Sequence, residues 1–463
     1  MEMENFWDYS VWGSLNLFGV LLLSLLVANT VKKMSKALNG SLIPTSVLGG
    51  AILLVIAAVY KGITGEVFFD TAFFGGNGSS VLEMITYHTL ALGFIASALK
   101  KSDGKMTKKR SMEIFDSGVT TVSTYLLQAV VGLAITIVAA LLVTGFFPAA
   151  GVLLPFGYGQ GTGQALNYGN IYETEFGFEG GKSFGLTIAA LGFLSASIGG
   201  VIHLNILKKK NRIVIGSSED ENGIRSEEIQ ADNEIPMQGS MDKITVQISM
   251  IFAAYYITYL IMYGLGLLLP GMRSVIYGFN FLFGVMAAAL IKVLLDHLKK
   301  LSIMKKEYIN NFLLTRSTNF FFDVMVVAGI AAIRLDMLEK YWGIIMILGV
   351  VGAFITYFYL HFIAEKLFPE YVEEQFLATY GMLTGTASTG IILLRELDGD
   401  FKTPAAENMV YQTLPAIVFG FPLMLLATFA PKQPVLTLII LIVFFGVMNV
   451  ILFRKFIFSR KGR

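Results

Sequence analysis

The sequence predicts an all-α polytopic membrane protein with two inverted repeats, each of five transmembrane helices plus a re-entrant hairpin, and one extra C-terminal transmembrane helix. Three observations support this fold class. Hydrophobic residues make up 55% of the 463 residues and charged residues only 15%, too few charges to cover the surface of a soluble chain of this length. Long uncharged runs recur along the chain, and two glycine-rich segments interrupt their alternation.

The uncharged runs predict the transmembrane helices, because a helix needs about 20 mostly apolar residues to cross a bilayer. Eleven runs meet or approach this length, and the fourth is long enough to be tilted or broken. They lie at about 12–31, 42–60, 84–99, 115–146, 183–207, 244–271, 274–295, 310–333, 342–364, 406–430 and 433–453.

The distribution of basic residues predicts the orientation. Cytoplasmic segments of membrane proteins carry an excess of Lys and Arg. Most of the 35 basic residues fall on the inside when the N-terminus lies outside and the C-terminus lies in the cytoplasm. We therefore expect a multi-pass protein of the cell (inner) membrane with this orientation.

Two apolar segments, 149–170 and 372–395, cannot be spans if this alternation holds. Both are rich in glycine and small polar residues. Each must enter and leave the membrane on one side, the first from the outside and the second from the inside. The sequence therefore predicts two re-entrant hairpins of opposite sidedness.

The two hairpins resemble each other, which indicates an internal duplication. Gly161-Thr162-Gly163 in the first matches Gly385-Thr386-Ala387 in the second. Two weaker matches at similar offsets pair Gly50 with Gly284, and Gly93 with Gly329. Every match joins segments of opposite predicted direction, and inverted repeats are typical of secondary transporters.

The duplication divides the chain into four parts. The first repeat covers 1–206 and the second covers 244–430. A polar, charged stretch without periodicity, 207–243, is predicted to be a cytoplasmic linker between them. The extra transmembrane helix and a basic cytoplasmic tail make up 431–463.

The glycine-rich segments suggest a binding site. Irregular backbone at membrane depth is tolerated only where it is buried in protein or lines a wet cavity. Hairpins from opposite faces can bring their tips together near the midplane. The helix that follows each tip has an N-terminus that favours an anion, and freed carbonyls suit sodium. The pattern points to a small carboxylate carried with a cation. The alternative is that small residues merely allow close helix packing.

The candidate substrate-binding residues lie at the two tips. They are Gln160, Gly161, Thr162, Gly163 and Gln164 in the first hairpin, and Thr384, Gly385, Thr386, Ala387, Ser388 and Thr389 in the second. Arg395 follows the second tip by about two helical turns. It is either a partner for a substrate carboxylate or a charge at the cytoplasmic lip.

Asp323 is the acidic residue deepest within a predicted span, and an ionisable group there is a functional hypothesis by default. It is a candidate sodium ligand, substrate-ammonium partner or proton carrier. A structural hydrogen bond inside the bundle is the alternative. Asn319, one turn earlier, can share its site. Arg316 lies about a turn from the inner end of the span, where snorkelling accounts for it.

Three stretches resemble the sodium/glutamate symporter family. They are IPTSVLGG after the first basic loop, residues 157–200 beginning GYGQGTGQALNYGNIYE, and residues 379–425 beginning TYGMLTGTASTG. With the spans between them, the resemblance covers most of 12–430. The second hairpin reads TGTAST at 384–389, where the family usually has Gly-Ala-Thr-Pro-Thr.

The resemblance implies an elevator-type transporter with a scaffold and a moving transport domain, usually as a homodimer. It also implies glutamate uptake driven by sodium, the expected coupling ion. Two alternatives remain open at this point. One is a sodium-coupled carrier of another carboxylate, such as a dicarboxylate or 2-hydroxy acid. The other is a channel without an organic substrate.

Other functional classes lack their motifs. No Walker sequence, HExxH motif or nucleophile elbow occurs, so we do not expect an enzyme. A net charge of +2 argues against a general nucleic-acid binder. The chain has no cysteine, which excludes disulfides, Cys–zinc sites and iron–sulfur clusters.

Overall fold

The computed structural model describes residues 5–35, 38, 43–101, 107–209, 234–237, 240–270, 273–339, 341–398 and 402–458. Across these ranges the chain is mainly helical and forms no β-strand. Ten helices in them are long and apolar enough to cross a membrane. The prediction of an all-α polytopic membrane protein is therefore confirmed. Most of the predicted linker, 207–243, lies outside the described residues.

The α-helices are numbered in chain order. They are α1 Tyr9–Met34, α2 Thr45–Thr64, α3 Gly78–Leu99, α4 Lys108–Leu142, α5 Leu153–Phe176, α6 Gly181–Lys209, α7 Lys243–Leu268, α8 Arg273–Gly278, α9 Asn280–Lys300, α10 Asn311–Ala331, α11 Trp342–Leu367, α12 Val372–Thr384, α13 Ala387–Arg395, α14 Ala405–Tyr411, α15 Thr413–Phe429, α16 Pro434–Leu452 and α17 Arg454–Phe458. Short 3-10 turns occur at Phe68–Asp70, Ala72–Phe74, Pro148–Val152 and Leu335–Leu338.

Local signals set several helix ends. Thr107 caps the N-terminus of α4, where its hydroxyl accepts a hydrogen bond from the Arg110 N–H. Asp242 caps the N-terminus of α7 in the same way, because its carboxylate accepts a hydrogen bond from the Ile244 N–H. Side-chain oxygens at this position satisfy amides that have no partner within the helix. At the other end, Gly65 closes α2 in the left-handed conformation, which glycine adopts without steric cost.

The tenth predicted span, 406–430, differs from the prediction because it forms two helices, α14 and α15. They meet at Gln412. Pro415 has no N–H to donate to the carbonyl of Tyr411, so the helical ladder is interrupted at this point. The buried amide oxygen of Gln412 accepts hydrogen bonds from the hydroxyls of Ser117 and Thr121 at 2.7 and 2.9 Å. The break therefore places a polar side chain against α4.

The chain forms two compact units. The first comprises Met1–Glu83, Met106–Ser217 and Val326–Arg463, and the second comprises Met84–Lys105 and Ser218–Met325. Both glycine-rich segments belong to the first unit. Its core includes a cluster of apolar side chains from α6, α11, α12 and α13. The buried members are Leu204, Leu360, Ala364, Phe376, Leu377, Tyr380, Leu383 and Leu393.

The second unit has its own core, formed by α7, α9, the parts of α3 and α10 that belong to it, and the residue Ile309 just before α10. The buried members are Leu92, Ile95, Ala96, Leu99, Ile251, Ala254, Ala287, Ala288, Ile309, Leu314 and Phe321. Outside the helices, Glu307 accepts hydrogen bonds from the ammonium groups of Lys101 and Lys299. Burial would raise the pKa of Glu307, but these hydrogen bonds outweigh it and hold the pKa below the usual range. The carboxylate is therefore charged at neutral pH and fixes this loop.

Candidate functional site

The first glycine-rich segment folds back on itself at Gly161. This residue has φ 78° and ψ −171°, a conformation outside the helical region that interrupts α5. The rings of Phe156 and Tyr168, one on each side of the break, stack with centroids 3.8 Å apart. In a continuous helix these residues would be about 18 Å apart along the axis. The chain therefore reverses at Gly161, within the predicted segment 149–170, and its second arm extends to Phe176.

The second glycine-rich segment is a pair of short helices, α12 and α13, joined by Gly385 and Thr386. A Cβ on Gly381 would lie 2.7 Å from the Cα of Gly390, so the two arms pass in direct backbone contact. The arms contain 13 and 9 residues, or about 20 and 14 Å of helix. Neither could cross a hydrocarbon core of about 30 Å. The pair therefore forms a helical hairpin over the predicted range 372–395.

Helix α6 shows the direction from which the first hairpin enters. The second arm of this hairpin packs on the N-terminal part of α6. A Cβ on Gly169 would lie 2.8 Å from the Cα of Lys182, and one on Gly185 would overlap the carbonyl oxygen of Ala165. The root of the first hairpin therefore lies beside the N-terminal end of α6, and its tip points toward the middle of that helix.

The second hairpin enters from the other end of α6. At its root, Glu373 lies 2.8 Å from the Nε2 atom of His203, near the C-terminus of α6. Further along the same arm, the hydroxyl of Tyr380 donates to the carbonyl of Ser195 at 3.0 Å. The arm thus runs toward the N-terminus of α6 as it approaches its tip. The two hairpins are therefore opposed in direction along one helix.

Both hairpins reach α6 at Gly192, about halfway along this candidate span. A Cβ at Gly192 would overlap the carbonyl oxygen of Thr384 in the second hairpin and would lie 3.2 Å from the Tyr158 ring in the first. Only a residue without a side chain leaves room for both. The two tips therefore converge on the middle of α6.

Helix α4 contacts both hairpins at the same level. The hydroxyl of Tyr125 donates to the carbonyl of Gly159 at 3.0 Å, one helical turn or less before the first tip. The buried Gln128 amide donates from Nε2 to the carbonyl of Leu383 at 3.0 Å, just before the second tip. It also donates to the hydroxyl of Thr356 at 2.9 Å. The ends of both broken helices are therefore held by the same short stretch of α4.

Two buried amide atoms near the tips lack a hydrogen-bond partner among the described residues. They are the Oε1 atom of Gln128 and the Nε2 atom of Gln164. The other amide atom of Gln164, Oε1, accepts from the Nδ2 atom of Asn167 at 2.8 Å. A buried polar group without a partner costs about 1–3 kcal/mol. Among the described residues, one acceptor and one donor near the tips are therefore left unsatisfied.

Most of the candidate residues at the first tip are enclosed. Gly161, Thr162, Gly163 and Gln164 are buried, and Gln160 is partly buried. Thr162 lies against Gly329, where an added Cβ would be 3.0 Å from the Thr162 hydroxyl oxygen. The first tip is therefore held within the core of the first unit.

The second tip is more open, and its hydroxyls already have roles in the hairpin. The Thr384 hydroxyl donates to the carbonyl of Tyr380 at 2.6 Å. The Thr386 hydroxyl accepts from the Thr389 N–H and begins α13. Ala387 and Arg395 are exposed, and Thr389 is buried. Ser388 lies in α13, and its side chain is outside the described set.

The loop that leaves the second hairpin is anchored by Asp398. Its carboxylate accepts hydrogen bonds from the N–H groups of Lys402 and Thr403 at 2.8 and 2.7 Å, and from the Thr403 hydroxyl at 2.6 Å. Burial would raise the pKa of Asp398, but these hydrogen bonds outweigh it and lower the pKa. The charged carboxylate therefore holds Lys402 and Thr403 in place just before α14.

Asp323 and Asn319 belong to the second unit. Both are exposed, and they lie one turn apart on α10. The exposed guanidinium of Arg316 lies 5.0 Å from the centroid of the Phe312 ring on the same helix. The role of Asp323 and Asn319 as sodium ligands stays a prediction.

Sequence reasoning missed Tyr125, Gln128 and Gly192. Gln128 could have been identified from the sequence, because an amide in the middle of the apolar run 115–146 needs a hydrogen-bonding partner inside the bundle. Gly192 could not, because nothing in the sequence distinguishes it from the other glycines of α6. Its role depends on two hairpins that are distant along the chain.

Comparison with known proteins gives no family assignment. No protein-family model matches the chain, and no curated protein matches its sequence significantly. The geometry of the two hairpins and the chemistry of their tips are therefore the features of this chain that point to a function.

Proposed function

We propose that this protein is a secondary active transporter that carries glutamate, or a closely related anionic amino acid, together with sodium. The observation that carries the proposal is the convergence of two oppositely directed hairpins on Gly192. Broken helices that face each other near the middle of the membrane are the arrangement in which secondary transporters bind substrate and ions. We place the proposed substrate site at the two tips.

The chemistry of the tips favours an amino acid with a carboxylate. The second arm of the first hairpin begins after Gly161, and α13 begins after Thr386. Helix N-termini present N–H groups and a positive dipole end, which stabilise a carboxylate. The unpartnered Gln164 Nε2 is a further donor for this group, and Gln128 Oε1 is an acceptor for an ammonium. A simple dicarboxylate would leave that acceptor unused.

Sodium is the proposed coupling ion. Oxygen atoms are its preferred ligands, and the carbonyls freed at helix breaks supply them. Asp323 and Asn319 are the proposed side-chain ligands, because a carboxylate and an amide oxygen on one face of a helix can hold a cation together. This assignment is independent of the substrate site and has its own test.

The proposed mechanism is an elevator-like alternating access between two halves related as inverted repeats, an architecture typical of secondary transporters. Two packing contacts support the duplication. A Cβ on Gly50 of α2 would lie 2.7 Å from Ile330 of α10, and one on Gly284 of α9 would lie 2.8 Å from Ile95 of α3. Gly50 lies in the first half and packs on α10, the third long helix of the second half. Gly284 lies in the second half and packs on α3, the third long helix of the first half. A two-fold relation between the halves predicts this reciprocity.

The decisive experiment is uptake of radiolabelled glutamate into proteoliposomes, with and without an inward sodium gradient. Uptake should require sodium and should survive collapse of the pH gradient. Aspartate-like amino acids should compete, whereas succinate and malate should not. Competition by succinate or malate alone would indicate the dicarboxylate carrier instead. Conduction without saturable uptake or exchange would indicate a channel.

A further inference from the structure

Three metal-ligating side chains converge at the root of the second hairpin, away from the tips. They are His203 of α6, His361 of α11 and Glu373 of α12. Each offers one ligand atom, and the three atoms lie within 4.8 Å of one another. All three residues belong to the first unit. No step of the proposed transport mechanism uses them.

The surroundings of His203 suit a metal ligand. Its Nε2 atom lies 2.8 Å from Glu373, and its Nδ1 atom lies 2.7 Å from the hydroxyl of Tyr357. Metal-bound imidazoles usually donate their second N–H to an outer oxygen, which fixes the tautomer and the ring orientation. Tyr357 can serve as that oxygen. Packing against the Phe376 ring, with centroids 4.5 Å apart, holds the imidazole in place.

The other two ligands can adjust and are accessible. His361 and Glu373 have side chains 31% and 21% exposed, whereas His203 is only 4% exposed. Ligand atoms around a tetrahedral zinc ion with bonds of 2.0–2.1 Å are about 3.3 Å apart. Because the three ligand atoms already lie within 4.8 Å of one another, each distance needs to change by only about 1.5 Å or less to reach this spacing.

We propose that His203, His361 and Glu373 bind a divalent metal ion of the zinc class. Two imidazoles and one carboxylate, with a fourth position left for water, form an established zinc-ligand set. Hard cations such as calcium and magnesium prefer sites built from oxygen alone. Imidazole nitrogen instead favours zinc and its neighbours in the first transition series. The bound ion links the first turn of α12 to α6 and α11, and so fixes the root of the second hairpin.

The test uses the full chain in detergent, with any purification tag removed and metal stripped by a chelator. Zn²⁺ is added and its binding is measured by calorimetry, with thermal unfolding followed in parallel. We expect one ion per chain and a rise in Tm. Co²⁺ should give the intense visible bands of a four-coordinate ion and should compete with Zn²⁺.

Two substitutions at the accessible ligands, His361→Gln and Glu373→Gln, should each weaken Zn²⁺ binding at least tenfold and remove the Zn²⁺-dependent rise in Tm. His297→Gln, at an exposed histidine on α9, is the matched control and should leave both unchanged. His203→Gln should have the same effect as the other two ligands. If that buried variant does not fold, the two accessible positions still decide the question.

A plain hydrogen bond between His203 and Glu373 makes different predictions. Glu373→Gln would then lower Tm equally with and without metal, and Zn²⁺ would not bind the wild-type chain saturably. Either the absence of saturable binding or equal Zn²⁺ affinity in His361→Gln and wild type would overturn the proposal.

Discussion

The two hairpins share a Gly-Thr sequence at their tips but use it for different physical reasons. Gly161 has a positive φ with ψ near 180°, a region that is essentially restricted to glycine. Gly385 has φ −141° and ψ −107°, so its φ is negative and lies outside the left-handed region. There the constraint is space, because a Cβ would lie 3.0 Å from the Gly381 carbonyl oxygen and 3.2 Å from the Phe193 ring. The first tip therefore depends on backbone conformation and the second on packing.

The hairpins also differ in burial and in what they offer a ligand. The first tip is enclosed and carries the buried amide of Gln164, whose Nε2 lacks a partner among the described residues. The second tip is partly exposed, and the Thr384 and Thr386 hydroxyls are engaged within the hairpin. Under the proposed function, the first hairpin would hold the substrate and the second would close over it. Substitutions in the two hairpins should therefore have unequal effects.

The largest expected effect is that of Gln164→Met, which keeps the side-chain volume but removes the amide donor. A hydrogen bond to a charged group contributes about 1.5–3 kcal/mol. Its loss should weaken glutamate affinity about 12- to 160-fold. The measurement is glutamate-dependent stabilisation of the purified protein with sodium present. Asn167→Ala is the control, because it removes a bond to Gln164 Oε1 but leaves Nε2 in place. Unchanged affinity in Gln164→Met would place the substrate elsewhere.

The next largest effect separates the two glycines. Gly161→Ala should lower the free energy of unfolding by about 1–3 kcal/mol, because alanine cannot adopt that conformation without strain. Gly385→Ala should cost less, since neighbours need to move by only a few tenths of an ångström. Thermal unfolding in detergent measures both. Gly446→Ala on α16 is the control, because no atom lies within 4 Å of its added Cβ. Equal losses at the two tips would contradict the distinction.

The hairpins show what the sequence could and could not predict. Their existence followed from charge alternation and glycine content, and the range 372–395 coincides with α12 and α13. The different constraints on Gly161 and Gly385 were not predictable, because both stand in similar Gly-Thr contexts. The convergence on Gly192 depends on residues more than 190 positions apart along the chain. The break at Gln412 was in principle visible in Pro415, although the uncharged run 406–430 favoured one span.

A third prediction concerns Asp323, the proposed sodium ligand, which lies in the second unit and not in either hairpin. Asp323→Asn removes a negative charge from α10 while keeping its shape. If Asp323 is a sodium ligand, the sodium concentration for half-maximal uptake should rise roughly tenfold, equivalent to about 1.4 kcal/mol. Maximal glutamate binding at saturating sodium should change little. Wild-type sodium dependence in this variant would make Asp323 a structural residue, and it would leave the hairpin site unaffected.

The smallest expected effect is that of Thr386→Ala in the second hairpin. The Thr386 hydroxyl accepts the Thr389 N–H at 3.4 Å and begins the nine-residue helix α13. Loss of such a cap costs about 1 kcal/mol, so glutamate affinity should fall by about fivefold or less as α13 frays. Thr386→Ser retains the oxygen and should restore wild-type binding. Thr379→Ala is the matched control, because that hydroxyl lies outside the tip and bonds only to carbonyls of its own helix among the described contacts. If Thr386→Ala weakened glutamate binding more than Gln164→Met, the second hairpin would be the main anchor of the substrate. The roles assigned to the two hairpins would then be reversed.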